Sequence, residues 1–192
     1  MKLVLSSEDC WGSTKLVVIG LLCLTLSTLT VADTMSNGIF QLINQRLNYM
    51  QDVALSKAKS HSAIEDLARE KQVLEKALVD AQQAGLQPDS IVGFFQAQMD
   101  AAKAIQYRYR ADWLSTHPEN SEYRDLASEV RPKLLELGDE IVVRISEYLK
   151  GGGSFDNNLQ KDFVRTVNTK HLSENDKKKM FESLQRIRLI KS

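Results

Sequence analysis

The sequence predicts an all-α protein, a helical bundle of about six helices built on one long N-terminal spine helix. Three observations carry that prediction. Glycine (9) and proline (3) are scarce among 192 residues, and long stretches are rich in the strong helix formers Ala, Leu, Gln, Glu, Lys and Arg. Apolar residues recur at steps of three and four. A hydrophobic content of 43% is enough for one good core at this length. Lys plus Arg and Asp plus Glu both number 25, so no global field steers the protein onto nucleic acid or an acidic membrane, and any positive potential must be local.

The first 32 residues stand apart. Leu16 to Leu29 is an uncharged, largely apolar run preceded by Lys15 and followed by Thr30, Val31 and Ala32. This fits a secretory signal cleaved after Ala32 and is short for a membrane span. An N-terminal anchor is the alternative, because Glu8 and Asp9 are unusual ahead of a signal core; either form exports the body to a periplasmic or secreted location. Both cysteines, Cys10 and Cys23, lie in this leader, so the remaining chain has neither a disulfide nor a thiolate metal site.

The spine helix is expected to open at Ser36 or Asn37, both good N-caps, and to run unbroken to about Ser60. Ser62 to Glu65 has capping-box spacing, so a second helix is expected there, ending at Gly85. Asp66, Arg69, Glu70, Val73 and Ala77 share one of its faces, and Leu67, Leu74, Leu78 and Ala81 form the adjoining apolar stripe. A third helix runs from about Ser90 to Trp113 with Phe95, Met99, Ala102, Gln106, Tyr109 and Trp113 in line. After a polar loop, Val130, Leu134, Leu137, Ile141 and Ile145 mark a fourth helix ended by Gly151 to Gly153, and Pro132 either kinks it or sits in its first turn. Two short amphipathic helices follow, one around Leu159 to Val167 and one opening at Ser173.

Polar residues sit where this pattern calls for apolar ones. Ile39, Ile43, Arg46, Met50, Val53 and Lys57 follow one another at steps of four and three, which places two long cations on an inward stripe. Gln106 occupies an equally inward position, and Arg131 lies at the irregularity next to Pro132. A buried charge needs a partner or a ligand. Arg46, Lys57, Arg69 and Arg131, with Asp66, Glu70 and Gln106, therefore suggest a pocket for a small anion with more than one carboxylate, because guanidinium forks match carboxylates, and the acidic residues suit hydroxyl groups on the same ligand. The competing reading is a set of buried salt bridges such as Lys57 with Asp66. His61, His117 and His171 have no metal-ligand spacing, and neither a glycine-rich phosphate loop nor a serine-hydrolase signature is present. Tyr107, Arg108, Tyr109 and Arg110 point in different directions on a helix, which disfavours nucleic-acid stacking.

Arg46, Lys57, Asp66, Arg69 and Glu70 resemble, position for position, the substrate-binding run of the all-helical chorismate mutases. The segment QMDAAKAIQYRYRADW, Gln98 to Trp113, is similar to the third-helix signature of their exported subclass, and Arg131 to the arginine which that subclass recruits from its own C-terminal half. The resemblance covers about Asp33 to Trp113 closely; the last two helices share it only in general outline. It implies rearrangement of chorismate to prephenate without cofactor or metal, in the biosynthesis of phenylalanine and tyrosine, within a pocket built by one chain. Residues 1–32 would be the signal and 33–192 the enzyme, with 33–115 supplying the catalytic helices and 121–192 completing the pocket. Arg46, Arg69 and Arg131 would clamp the carboxylates. Glu70, with Asp66 or backbone nearby, would hold the ring hydroxyl, and Lys57 and Gln106 the ether oxygen. Val73 and Ala102 would shape the wall, Ala102 replacing a hydroxyl residue of some relatives. The resemblance also implies a homodimer with unshared sites and no lasting membrane association. A non-catalytic exported protein that binds an aromatic dicarboxylate or serves as an adaptor is the alternative to an enzyme.

Overall fold

The computed structural model describes residues 33–116 and 123–191; the leader therefore lies outside the described residues. The chain divides into two units, Met1–Thr34 and Met35–Ser192. The spine consists of α1 (33–48) and α2 (Met50–Lys59), separated only by a turn at Tyr49. It is followed by α3 (Leu67–Ala84), α4 (Pro88–Thr116), α5 (Arg131–Lys150), α6 (Gln160–Thr166) and α7 (Glu174–Leu184). With the spine taken as one interrupted helix, these are six helices among the described residues, and no sheet accompanies them beyond an isolated bridge between Leu86 and Leu189.

The spine's inward stripe is as its spacing requires. Ile39, Ile43, Met50 and Val53 are buried, and so is Arg46. Its start differs from expectation, because the chain is already helical ahead of Ser36. Ser36 is buried within the helix and the Asn37 side chain accepts a hydrogen bond from Thr166 at 3.1 Å, so tertiary packing claims the groups that would otherwise cap. The second helix also begins later than Ser62. Residues 61–66 form a non-helical connection, and Asp66 is the N-cap, its Oδ1 accepting from the Arg69 backbone N–H at 3.0 Å. Ser62 is engaged otherwise, its carbonyl accepting from Arg110 at 2.8 Å, while the side chain of Ile64 packs inward. Leu67, the first residue of α3, is 76% exposed and does not belong to the apolar stripe; Ala81 anchors that stripe, with Leu74 and Leu78 half-buried. Gly85 ends α3 in the left-handed conformation at φ 85°, which a residue without Cβ adopts freely.

Helix α4 is the central element, packing against α2, α3 and α7. Phe95, Met99, Ala102, Gln106 and Tyr109 are buried along it, and Trp113 less so. A single π-helical turn, Leu126–Val130, leads into α5, with Asp125 capping it through the N–H groups of Ala127 and Ser128 at 3.0 and 2.7 Å. Pro132 falls in the first turn of α5, resolving the choice the sequence left open. Having no N–H, it cannot bond back to the preceding turn, and the wider turn there brings Arg131 in at the junction. The tail closes the opposite side of the core, where Phe40 and Phe163 meet edge to face and Phe163 and Phe181 at a tilt, at ring separations of 5.1 and 5.3 Å. Ser173 and Asp176 form a reciprocal capping box at the start of α7.

Candidate active site

One cavity of about 140 Å³ opens between the spine, α3, α4 and α5. A water molecule needs only about 15 Å³ on the same scale, so the space suits a small organic molecule. Arg46, Lys57, Asp66, Arg69, Glu70, Val73, Ala102, Gln106 and Arg131 all line it, so the fold brings together every residue singled out from the sequence. Met50, Val53, Ile64, Phe95, Met99 and Leu134 supply apolar wall.

Among the described residues, none of Arg46, Lys57, Arg69 and Arg131 forms an ion pair, which removes the salt-bridge reading of Lys57 with Asp66. Arg46 is 7% exposed, and its one side-chain bond among the described residues is a long 3.5 Å contact from Nη1 to Gln98 Oε1. Burial pushes its pKa down to about 10. Lys57 donates to the Ile64 carbonyl at 2.5 Å, leaving two protons of its ammonium. Burial holds its pKa below the ordinary lysine value; Asp66 and Glu70 oppose that shift, and Arg131 and Arg110 add to it. Arg69 reaches Gln72 on its own helix at 3.2 Å.

The amide and the acids complete the lining. Gln106 Nε2 donates to the Ala102 carbonyl at 3.1 Å and lies 3.6 Å from Met50 Sδ, a weak acceptor, so its second proton is only loosely engaged. Asp66 commits one oxygen to the α3 cap and thereby fixes the backbone of Arg69. Glu70 Oε2 pairs with Lys103 at 2.9 Å. Arg46 Nε, Glu70 Oε1 and Gln106 Oε1 are buried without a hydrogen-bond partner, and buried polar atoms are rarely left so unless a ligand or water answers them. Sequence reasoning missed Lys103, together with Lys76, which bridges Asp80 on α3 and Asp139 on α5 at 2.8 and 2.7 Å at one end of the cavity. The position of Lys103, beside Ala102 and three residues before Gln106, was the available signal.

Comparison with known proteins bears on what this arrangement serves. The profile of the family described as chorismate mutase type II matches residues 32–107. The chain is 39% identical over 166 residues to the monofunctional chorismate mutase of Enterobacter agglomerans, covering 86% of this chain and 91% of that protein. The chain belongs to the chorismate mutase type II family. It is a chorismate mutase, an isomerase. It is also similar to the secreted chorismate mutase of Yersinia pestis, 37% identical over 179 residues, with 92% and 96% of the two chains covered. The crystal structure of the Yersinia pestis secreted enzyme superposes with a TM-score of 0.73, covering 79% of this chain and 97% of that one, so this chorismate mutase has the same all-helical fold.

Proposed function

We propose that this chorismate mutase rearranges chorismate to prephenate in the cavity between the spine, α3, α4 and α5, using side chains of one chain alone. The observation that carries the reading is the convergence of four cations, none paired with a carboxylate among the described residues, on a cavity with buried, unanswered polar atoms. Chorismate is a dicarboxylate with a ring hydroxyl and an enol-ether bridge. Its [3,3] shift breaks the ether carbon–oxygen bond as the new carbon–carbon bond forms, within one molecule, and calls for no nucleophile or proton donor. The protein's task is to hold the compact diaxial conformer and to stabilise negative charge on the ether oxygen as its bond lengthens.

Arg46, Arg69 and Arg131 hold the two carboxylates. Glu70 accepts from the ring hydroxyl, and Asp66 acts mainly through Arg69, whose backbone N–H it caps. Lys57 and Gln106 donate to the ether oxygen, and the barrier is lowered there. Val73 and Ala102 contribute shape. The presence of Arg131 on the same cavity as the spine cations supports a site that borrows nothing from a second chain, whether or not two copies associate as the homodimer expected from the resemblance. Export fits the apolar leader and the relatives named as secreted.

Loss of chorismate absorbance with matching appearance of prephenate, on addition of purified protein, tests the reaction. Gln106 tests the mechanism. A neutral amide donates at any pH, whereas a glutamate donates only when protonated. Gln106→Glu is therefore expected to retain activity at acid pH and to lose it as pH rises, well before the decline of the unmodified enzyme. A pH profile that superposes on the unmodified one removes Gln106 from the ether oxygen.

A further inference from the structure

The proposed reading assigns Glu70 to the substrate hydroxyl but leaves a problem at that residue. Its carboxylate lines a cavity that also holds Arg46, Lys57, Arg69 and Arg131. A flexible anion among four cations would be drawn onto the nearest of them, and Lys57 already feels its charge. Such a pairing would turn Glu70 away from the hydroxyl and neutralise Lys57 together with it.

In the structure Glu70 is paired elsewhere. Lys103, on α4, donates to Glu70 Oε2 across the α3–α4 interface at 2.9 Å, and its side chain is only 24% exposed, that of Glu70 19%. One turn earlier on α4, Asp100 Oδ1 lies 3.3 Å from the same ammonium. Glu70 Oε1 is left buried without a partner. We propose that Lys103 is a positioning residue for the rearrangement: it anchors one oxygen of Glu70, keeps that carboxylate off Lys57, and leaves the other oxygen to accept from the substrate hydroxyl. This rests on the reading of the cavity as the chorismate site. Lys103 neutralises a charge without taking part in the electron movement, and a guanidinium at the same position serves the same purpose.

The test is a kinetic cycle on chorismate with the full chain: unmodified, Lys103→Met, Lys103→Arg, Glu70→Gln and the Lys103→Met, Glu70→Gln double variant, each with a thermal melt. Lys103→Met is expected to lower kcat/KM about tenfold, Lys103→Arg to restore it to within about twofold, and Lys103→Met to cost nothing further once Glu70 is Gln. If the methionine variant does not fold, Lys103→Gln, which is polar but uncharged and one atom shorter, takes its place in the cycle. Unchanged activity in Lys103→Met, losses that add in full to those of Glu70→Gln, or failure of arginine to rescue would each overturn the assignment while leaving chorismate turnover by the unmodified chain intact. Absence of prephenate from the unmodified chain overturns the underlying reading and this inference with it.

Discussion

Lys57→Ala is expected to lower kcat for chorismate by at least about a hundredfold while the protein stays folded. Donors aimed at developing negative charge are worth about 3 to 4 kcal/mol of barrier in other enzymes, or roughly a hundredfold to a thousandfold in rate. The surroundings of Lys57 suit that use. Its ammonium lies at the cavity wall with one proton committed to the Ile64 carbonyl, and no carboxylate pairs with it among the described residues. Removing it forfeits one part-buried hydrogen bond, about 1 to 3 kcal/mol of stability, which a folded domain tolerates. Circular dichroism and a thermal melt should therefore stay close to those of the unmodified protein as turnover collapses. A further consequence concerns pH. Burial lowers the Lys57 pKa, so the ammonium loses its proton at a lower pH than a free lysine does. The alkaline fall of kcat/KM should accordingly begin below the ordinary lysine value of about 10.4. An unchanged kcat in the Lys57→Ala variant would exclude Lys57 from the chemistry.

Arg46→Met should divide function from stability even more clearly. It is expected to raise KM for chorismate about a hundredfold, the cost of removing one partner of a charge-assisted pair. The same change is expected to raise Tm. Arg46 is buried, has an orphaned Nε, and has only a 3.5 Å contact to Gln98 to offset its desolvation. Burial holds its pKa down at about 10, well below the ordinary arginine range, a penalty of roughly 3 kcal/mol on the folded state. Because the folded value lies below the unfolded one, that penalty is complete at neutral pH and is relieved only as pH rises through about 10. Methionine replaces the aliphatic stem without charge, though it leaves the Gln98 amide oxygen without its donor, which returns about 1 to 2 kcal/mol of the gain. A net gain of about 1 kcal/mol corresponds to a rise of about 2 to 4 °C in Tm at this size. Sites that bind anions in apolar surroundings commonly carry such a stability penalty. A drop in Tm by several degrees, with KM unchanged, would make Arg46 a structural residue instead.

Helical periodicity disclosed the cations because it reports angle around an axis. Arg46 and Lys57 share the angle of Ile39, Ile43, Met50 and Val53, so their inward position followed from spacing alone. Gln106, in line with Phe95 and Met99, was legible for the same reason, and Arg131 because Pro132 marks a break in the backbone. The misses concern features that depend on other parts of the chain. Ser62 to Glu65 has the spacing of a capping box, but Arg110 holds the Ser62 carbonyl and Ile64 is buried, so Asp66 takes the cap. Lys103 stands beside Ala102 in the sequence, but its pairing with Glu70 depends on how closely α3 approaches α4, which no single helix reports. Leu67 shares the angle of a buried stripe yet starts its helix and is exposed.

The central claim is that one chain closes its own anion pocket and turns over chorismate with it. Mixing two inactive variants, Lys57→Ala and Arg131→Ala, tests this most directly. Subunits are exchanged through a mild denaturation and refolding step, and prephenate formation is measured before and after, with the unmodified enzyme carried through the same step. Because Lys57 and Arg131 line one cavity of the same chain, the mixture should remain as inactive as its components, while the unmodified enzyme recovers its turnover. Recovery of a substantial part of the unmodified rate in the mixture would show that an arginine crosses between chains and would contradict the account.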